Sequence, residues 1–376
     1  MADFSRFAKP TPEWLEHEKQ YGVPSPANVG LVPPEQLQQA TNDWREKASC
    51  KNMIDEGLHD RVNIQTVEID SRDGHKIPTR LYSTKIDGPP KNPLPIYVFF
   101  HGGGFIYGTL SSEDAACARI AAALPIIVVN VCYRHTPQFK YPKAHEDAFD
   151  AFDWVRANAR SIGGDLEKIV VGGISAGANL AAALVLSDNR RGKGSDRATS
   201  MSGETEAEAE QRLAPIRGQI LCIPWMYIRP EAFPYELLES REVYSRQQCA
   251  NGPVITTEIE AFFRDLMGLP ESDSDMATER ADDAQLKNSP RTAFVVAGND
   301  PVRDDGLVYA EKLHRNGVPI RVNVFQGLPH GFRRFNDLPS SRRWDELVVE
   351  GIRWALEDKP SEISNEFAIT VERSDA

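Results

Sequence analysis

The sequence predicts an α/β protein with a mostly parallel central sheet flanked by helices. Two observations carry that expectation. Short continuous apolar runs at residues 96–100 and 126–131 lack polar alternation, as strands buried on both faces require. Stretches of helical period alternate with these runs, which is the pattern of parallel strands joined by crossover helices.

The first 55 residues read as helical. Trp14 and Leu15 lie in a short amphipathic stretch, and Pro34 opens a longer helix whose apolar positions are Leu37, Ala40, Trp44 and Ala48. Segments 62–70 and 77–83 read as strands joined by a hairpin turn at Asp73-Gly74. Further buried strands are expected at 96–100, 126–131, 168–171, 218–223, 293–297 and 320–325. Between them run a helix at 147–160, with Ala148, Phe152 and Val155 inward, and another from Ser175 to about Leu186.

Two segments break the rhythm. Residues 188–212 are charged, Gly/Ser-rich and poor in large apolar side chains, so a flexible surface insertion is expected there. Residues 224–290 stand between two core strands and should cover their carboxyl ends. They carry a helix with Ile259, Phe262, Phe263 and Leu266 on one face, a capping box at Thr257 and Glu260, and Gly268 as its stop. The expected organisation is a core of 56–223 and 291–358, a cap insertion of 224–290 joined by the N-terminal segment 1–55, and a C-terminal tail of 359–376.

Composition narrows the function. The chain has 376 residues with 55 acidic and 43 basic side chains, a net charge of −12, which gives no general attraction to a phosphate backbone and argues against a nucleic-acid partner. No run of eighteen apolar residues is present, so no stable membrane insertion is expected. Residues 1–20 are polar and lack the apolar core of a signal peptide, and the five cysteines are scattered without metal-binding spacing. Both features predict a cytoplasmic setting. No H-E-x-x-H motif or carboxylate cluster points to a metal, and nothing in the pattern reports the oligomeric state.

Three motifs carry chemistry. Gly173-Ile174-Ser175-Ala176-Gly177 follows a strand and opens a helix, the context of a nucleophile elbow, where a tight turn holds the serine at the sheet edge. His101-Gly102-Gly103-Gly104-Phe105 follows the first core strand, and its glycines leave backbone N–H groups open to a ligand. With the N–H of Ala176, those of this loop would form an oxyanion hole for a tetrahedral acyl intermediate. Asp300 and His330 each follow a later strand, so both should reach the same sheet edge as Ser175. A serine hydroxyl needs a base to take its proton, and the base needs an acid to fix its tautomer. Asp304 and Asp305 are rival acids, but both fall at a helix start, where carboxylates usually cap. Asp300 at the strand end is preferred.

At these residues the chain resembles the hormone-sensitive-lipase-like branch of α/β-hydrolases. The matching blocks are His101–Phe105, the elbow at Ser175, Tyr133-Arg134 with Tyr141-Pro142 and Asp147, Asp300-Pro301-Val302-Arg303-Asp304, and Pro329-His330-Gly331-Phe332. The resemblance spans residues 60–355. It implies the α/β-hydrolase fold with a helical cap, and carboxylic-ester hydrolysis without a cofactor by a Ser175–His330–Asp300 triad. It also implies an oxyanion hole from Gly103, Gly104 and Ala176. Two departures stand out. Ile174 occupies a position often acidic in the family, and Pro224-Trp225-Met226 replaces a frequent Tyr-Pro pair.

The expected function is therefore a serine carboxylesterase acting on a small-molecule ester through an acyl-enzyme intermediate. Short or medium acyl chains, or acetyl groups on a bulky natural-product alcohol, are the expected substrates. Trp225 is a candidate acyl-pocket residue, with core packing as its alternative. Two other readings use the same residues. One is a biosynthetic enzyme applying the triad to acyl transfer, lactonisation or another non-hydrolytic step. The other is a non-catalytic small-molecule receptor.

Overall fold

The computed structural model of the chain describes residues 1–22, 30–85, 88, 92–191, 214–270, 278–359, 364 and 366–373. Its centre is a nine-stranded sheet with strand order β1-β2-β4-β3-β5-β6-β7-β8-β9. The strands are β1 (Val62–Asp70), β2 (Lys76–Thr84), β3 (Leu94–Phe100), β4 (Ile127–Val131), β5 (Gly164–Ile174), β6 (Ile216–Cys222), β7 (Arg291–Asn299), β8 (Ile320–Pro329) and β9 (Thr370–Glu372). β2 is antiparallel to both β1 and β4, and every other pairing is parallel. Strand β9 adds order to the expected tail: Thr370, Val371 and Glu372 pair with Asn323, Val324 and Phe325 at the outer edge of β8. A β-branched pair here satisfies an edge that would otherwise present unpaired backbone groups.

The helices are α1 (Pro12–Tyr21), α2 (Pro34–Asp55), α3 (Asp114–Ala123), α4 (Lys143–Asn158), α5 (Ala176–Arg191), α6 (Ser245–Gln248), α7 (Thr257–Met267), α8 (Asp283–Leu286), α9 (Arg303–Arg315) and α10 (Pro339–Ala355). The core lies on both faces of the sheet. On one, Val98, Phe100, Val171 and Leu221 join Ala148, Phe152, Val155 and the inward side of α5. On the other, Tyr97, Phe99 and Val170 join α3 and Trp344, Leu347 and Ile352 of α10. Burial of both faces is the reason these strands read as unbroken apolar runs.

Three local expectations are corrected. α5 continues to Arg191, so the charged segment does not begin at 188, and Asp188 is tied back by a bidentate pair with Arg156 at 2.7 and 2.9 Å. The remainder of that expected insertion, 192–212, lies outside the described residues. The N-cap of α7 is Thr256 rather than Thr257: its backbone is extended and its hydroxyl accepts the Ile259 N–H at 3.2 Å. Glu260 closes no capping box, because its carboxylate is drawn inward to Trp225 and Arg246.

The third correction concerns α2. Its expected apolar face is its inward face only in part: Leu37 packs against the core, but Trp44 is 42% exposed, and Ala40 is also exposed. The side facing the protein carries Gln38, Asn42, Arg45 and Ser49. The surface beneath it is a loop with free backbone carbonyls and amides, and such a surface is satisfied by side-chain donors and acceptors rather than by methyl groups.

Candidate active site

Ser175 stands alone between β5 and α5, with a left-handed backbone (φ 56°) that a serine rarely adopts. The turn closes because residue 177 has no side chain: a Cβ on Gly177 would lie 2.0 Å from the Phe100 carbonyl oxygen. The Ser175 N–H donates to the Cys222 carbonyl at 2.8 Å, fixing the elbow to the end of β6. Strain held in this way by surrounding bonds is typical of functional turns.

Asp300 follows β7, and His330 follows β8. The structure brings both to Ser175. His330 Nε2 is 3.0 Å from Ser175 Oγ, and its Nδ1 is 2.7 Å from Asp300 Oδ2. The other Asp300 oxygen accepts the Val302 N–H at 2.9 Å, so the carboxylate is held from two sides and is fully buried. Neutral His330 therefore carries its proton on Nδ1, facing the acid, and turns the Nε2 lone pair to the serine hydroxyl.

The two rival carboxylates are engaged elsewhere. Asp304 accepts the Ser245 N–H at 2.7 Å and the Arg303 Nε–H at 2.7 Å. Asp305 accepts the Tyr227 N–H at 2.8 Å and pairs with Arg246 at 2.6 Å.

Loop 101–109 leaves the end of β3 and runs against the elbow. Among the described residues, the N–H groups of Gly103, Gly104 and Ala176 have no acceptor, while the carbonyl preceding each is engaged. The Gly102 carbonyl accepts Arg45 Nη1–H at 3.1 Å and the His101 ring Nδ1–H at 3.1 Å. The Gly103 carbonyl accepts the N–H groups of Ile106 at 3.1 Å and Tyr107 at 2.9 Å. The Ser175 carbonyl accepts the N–H groups of Ala178 at 3.0 Å and Asn179 at 3.2 Å. A peptide unit is planar and trans, so holding its carbonyl also aims its N–H. Three fixed donors next to a based serine suit an oxygen that gains negative charge.

Gly104 has φ 62°, and a Cβ there would lie 2.2 Å from the Phe263 ring. Phe263 of α7 thus rests directly on the loop, edge-on to Tyr107 with ring centroids 5.5 Å apart. Trp225 is only 2% exposed. Its indole N–H donates to Glu260 at 3.0 Å, and its ring centroid is 6.1 Å from that of Phe105.

Three histidines, His101 and His145 buried and His135 partly so, line the back of the loop. His101 Nδ1 donates to Gly102, so its Nε2 accepts the Nε2–H of His135 at 3.3 Å. Burial holds the His101 pKa well below its ordinary value, with His135 and Arg45 adding to the effect. Burial and then Arg45 lower that of His135 to about 3. Burial lowers that of His145 to about 4, against an opposing bond to Asn179. All three are neutral at pH 7, and none of them contacts Ser175 as His330 does. Among the described residues, no group of three or more His, Cys, Asp or Glu side chains could hold a metal ion.

Arg45, Gln38 and Asn42 escape a reading based on apolar periodicity. With Ser49 they share the spacing of one helix face, but α2 is polar on its other side as well, so the pattern does not say which side turns inward.

Fold and site together define an α/β-hydrolase, and the family model for the α/β hydrolase fold matches residues 97–334. The chain belongs to the hormone-sensitive-lipase-like family and is a carboxylic-ester hydrolase. It is 34% identical over 283 residues to esterase LipI of Mycobacterium tuberculosis, covering 73% of this chain and 76% of that protein. It is 29% identical over 340 residues to the versiconal hemiacetal acetate esterase of Dothistroma septosporum, covering 86% of this chain and 96% of that protein. The crystal structure of vibralactone cyclase aligns with a TM-score of 0.79 over 93% of this chain and 96% of that one, at 23% identity, a likeness of fold. Among the described residues, no helix is long and apolar enough to cross a membrane.

Proposed function

We propose that this carboxylesterase works through Ser175, His330 and Asp300. Ser175 Oγ attacks the ester carbonyl as His330 Nε2 takes its proton. His330 then protonates the leaving alcohol, and Asp300 stabilises the imidazolium and its orientation. The N–H groups of Gly103, Gly104 and Ala176 receive the oxyanion. Water, with its proton taken by His330, releases the acid from the acyl-enzyme. The single observation that carries this reading is the continuous hydrogen-bond line from Ser175 through His330 to Asp300, at 3.0 and 2.7 Å.

The cap is assigned to residues 1–55 and 224–290 over a core of 56–223 and 291–358. Its supports are the contacts of Phe263 with Gly104 and of Arg45 with Gly102. Phe263 on the loop leaves little depth beside Gly104, which favours short acyl groups, acetate foremost, over long chains. An acetate ester also agrees with the Dothistroma septosporum relative, a versiconal hemiacetal acetate esterase. Trp225 serves as a wall behind the acyl group, locked by Glu260. The site of action is cytoplasmic, a setting that suits five free thiols.

The test is turnover of p-nitrophenyl esters from acetate to palmitate, with Ser175→Ala as control. Fast serine-dependent hydrolysis peaking at short chains is expected. Hydrolysis in water enriched in oxygen-18 should place one label in the acid product. Unlabelled lactone or transfer product would replace hydrolysis with the non-hydrolytic reading.

A further inference from the structure

Arg45 lies on α2, outside the α/β core, and its guanidinium is aimed at the loop beside Ser175. Nη1 donates to the Gly102 carbonyl at 3.1 Å, and Nη2 pairs with Glu113 at 2.5 Å. Ser112 Oγ holds the same Glu113 oxygen at 3.0 Å, so the guanidinium is fixed at both ends. It is also pressed against the next residue: a Cβ on Gly103 would lie 2.8 Å from Nη1. The rest of this helix face grips the same loop and the start of α3. Gln38 donates to the Ile106 carbonyl at 2.7 Å, Asn42 accepts the Gly108 N–H at 2.8 Å, and Ser49 accepts the Ala115 N–H at 3.1 Å.

We propose that Arg45 is a positioning residue for ester hydrolysis: by holding the Gly102 carbonyl, it aims the Gly103 N–H at the oxyanion. In a trans peptide the C=O and N–H point to opposite sides. The Gly102 carbonyl faces α2, so the Gly103 N–H is turned away from α2. At Gly102 the loop also lies against the elbow, since a Cβ there would lie 2.9 Å from the Ile174 carbonyl oxygen. A glycine peptide has no side chain to restrain its rotation, and Gly103 (φ 136°) adopts a backbone shape open mainly to glycine. The His101 ring supplies one restraint at 3.1 Å, and Arg45 adds a second from outside the loop, a charged donor being the strongest kind available. The guanidinium also polarises the peptide it touches, which makes the N–H on the far end a better donor. Arg45 never touches the substrate. It acts through the peptide, so the helix that forms part of the cap also tunes the chemistry.

The inference rests on the proposed function, and the experiment separates the two. Arg45→Met keeps the stem and removes both donors and charge. With p-nitrophenyl acetate, kcat is expected to fall about 30-fold with KM changed less than threefold, a fraction of the about 10²–10³ lost with a whole oxyanion donor. Affinity for an alkyl trifluoromethyl ketone, which forms an oxyanion-bearing adduct with the serine, should fall by a similar factor. Inhibition by the product alcohol should stay within twofold. Arg45→Lys, with charge but no fork, should fall between the two, and millimolar guanidinium ion should restore part of the activity of Arg45→Ala.

A kcat for Arg45→Met within twofold of the parent overturns the proposal. So does parallel weakening of ketone and product binding, which marks a general loss of structure. Should Arg45→Met not fold, the lysine variant and the guanidinium rescue decide by the same criteria. Normal turnover by Ser175→Ala would instead sink the underlying mechanism, and the ketone would then form no adduct in any variant.

Discussion

Glu260 accepts the indole N–H of Trp225 at 3.0 Å and pairs with Arg246 at 2.6 Å, so α7 is bonded to the chain just beyond the end of β6. Arg246 in turn pairs with Asp305 at 2.6 Å and donates to the Tyr227 carbonyl at 2.9 Å. This buried line connects α7 to α9, which follows Asp300.

Removing Glu260 should therefore cost stability before it costs chemistry. Glu260→Ala leaves Arg246 short of one buried counter-charge and the indole without an acceptor, a loss of about 3–5 kcal/mol. Urea unfolding of parent and variant checks it. An unchanged midpoint would mean that solvent reaches the cluster and satisfies both groups.

Phe263→Ala should widen the space above Gly104. The ratio of kcat/KM for p-nitrophenyl octanoate over acetate is expected to rise roughly tenfold, the scale of discrimination a hydrophobic wall provides. Stability should fall by about 3 kcal/mol, because a buried ring is lost from a packed interface. An unaltered chain-length profile would remove Phe263 from the acyl pocket.

The choice of acid has a kinetic signature. Asp300→Asn should lower kcat about 10⁴-fold with the fold intact, because an amide favours the wrong histidine tautomer. Asp304→Asn should lower the unfolding midpoint while leaving most of kcat, since that carboxylate serves Ser245 and Arg303. Reversed outcomes would transfer the role to Asp304.

Stability should fall as pH drops below about 6.5. An unfolded histidine titrates near that value. In the folded protein, burial and Arg45 hold His135 at about 3, and burial holds His145 at about 4. Between those values and about 6.5 the unfolded chain binds more protons, so acid favours unfolding by about 1.4 kcal/mol per pH unit for each histidine. Urea midpoints at pH 7, 6 and 5 should decline accordingly. His145→Gln, which keeps a donor for Asn179, should flatten that slope. Equal slopes in parent and variant would count against a neutral buried His145.

Much of the fold was legible because its signals are local. A strand buried on both faces must be apolar throughout, and residues 96–100 and 126–131 are. A serine at a strand-to-helix turn must be flanked by small residues, and Gly173 and Gly177 are. Ser175, His330 and Asp300 follow three strands in a fixed order, so a parallel sheet alone delivers them to one edge. The thresholds of helices were less legible. Thr256 and Thr257 are chemically alike, and only backbone angles decide which one caps.

The sequence by itself determined the α/β class, the elbow, and that Asp300 and His330 stand in line with the serine, because each depends on chain order and on side chains close in sequence. The tertiary structure alone decided which face of α2 turns inward. Apolar spacing favoured Leu37, Ala40, Trp44 and Ala48, yet Trp44 stays partly exposed and Arg45 reaches Gly102. The physical reason is that α2 docks on exposed peptide groups of a loop 57 positions away along the chain. What a helix buries depends on what its partner surface needs, and no local pattern encodes the hydrogen-bonding demand of a surface that forms only when the chain has folded.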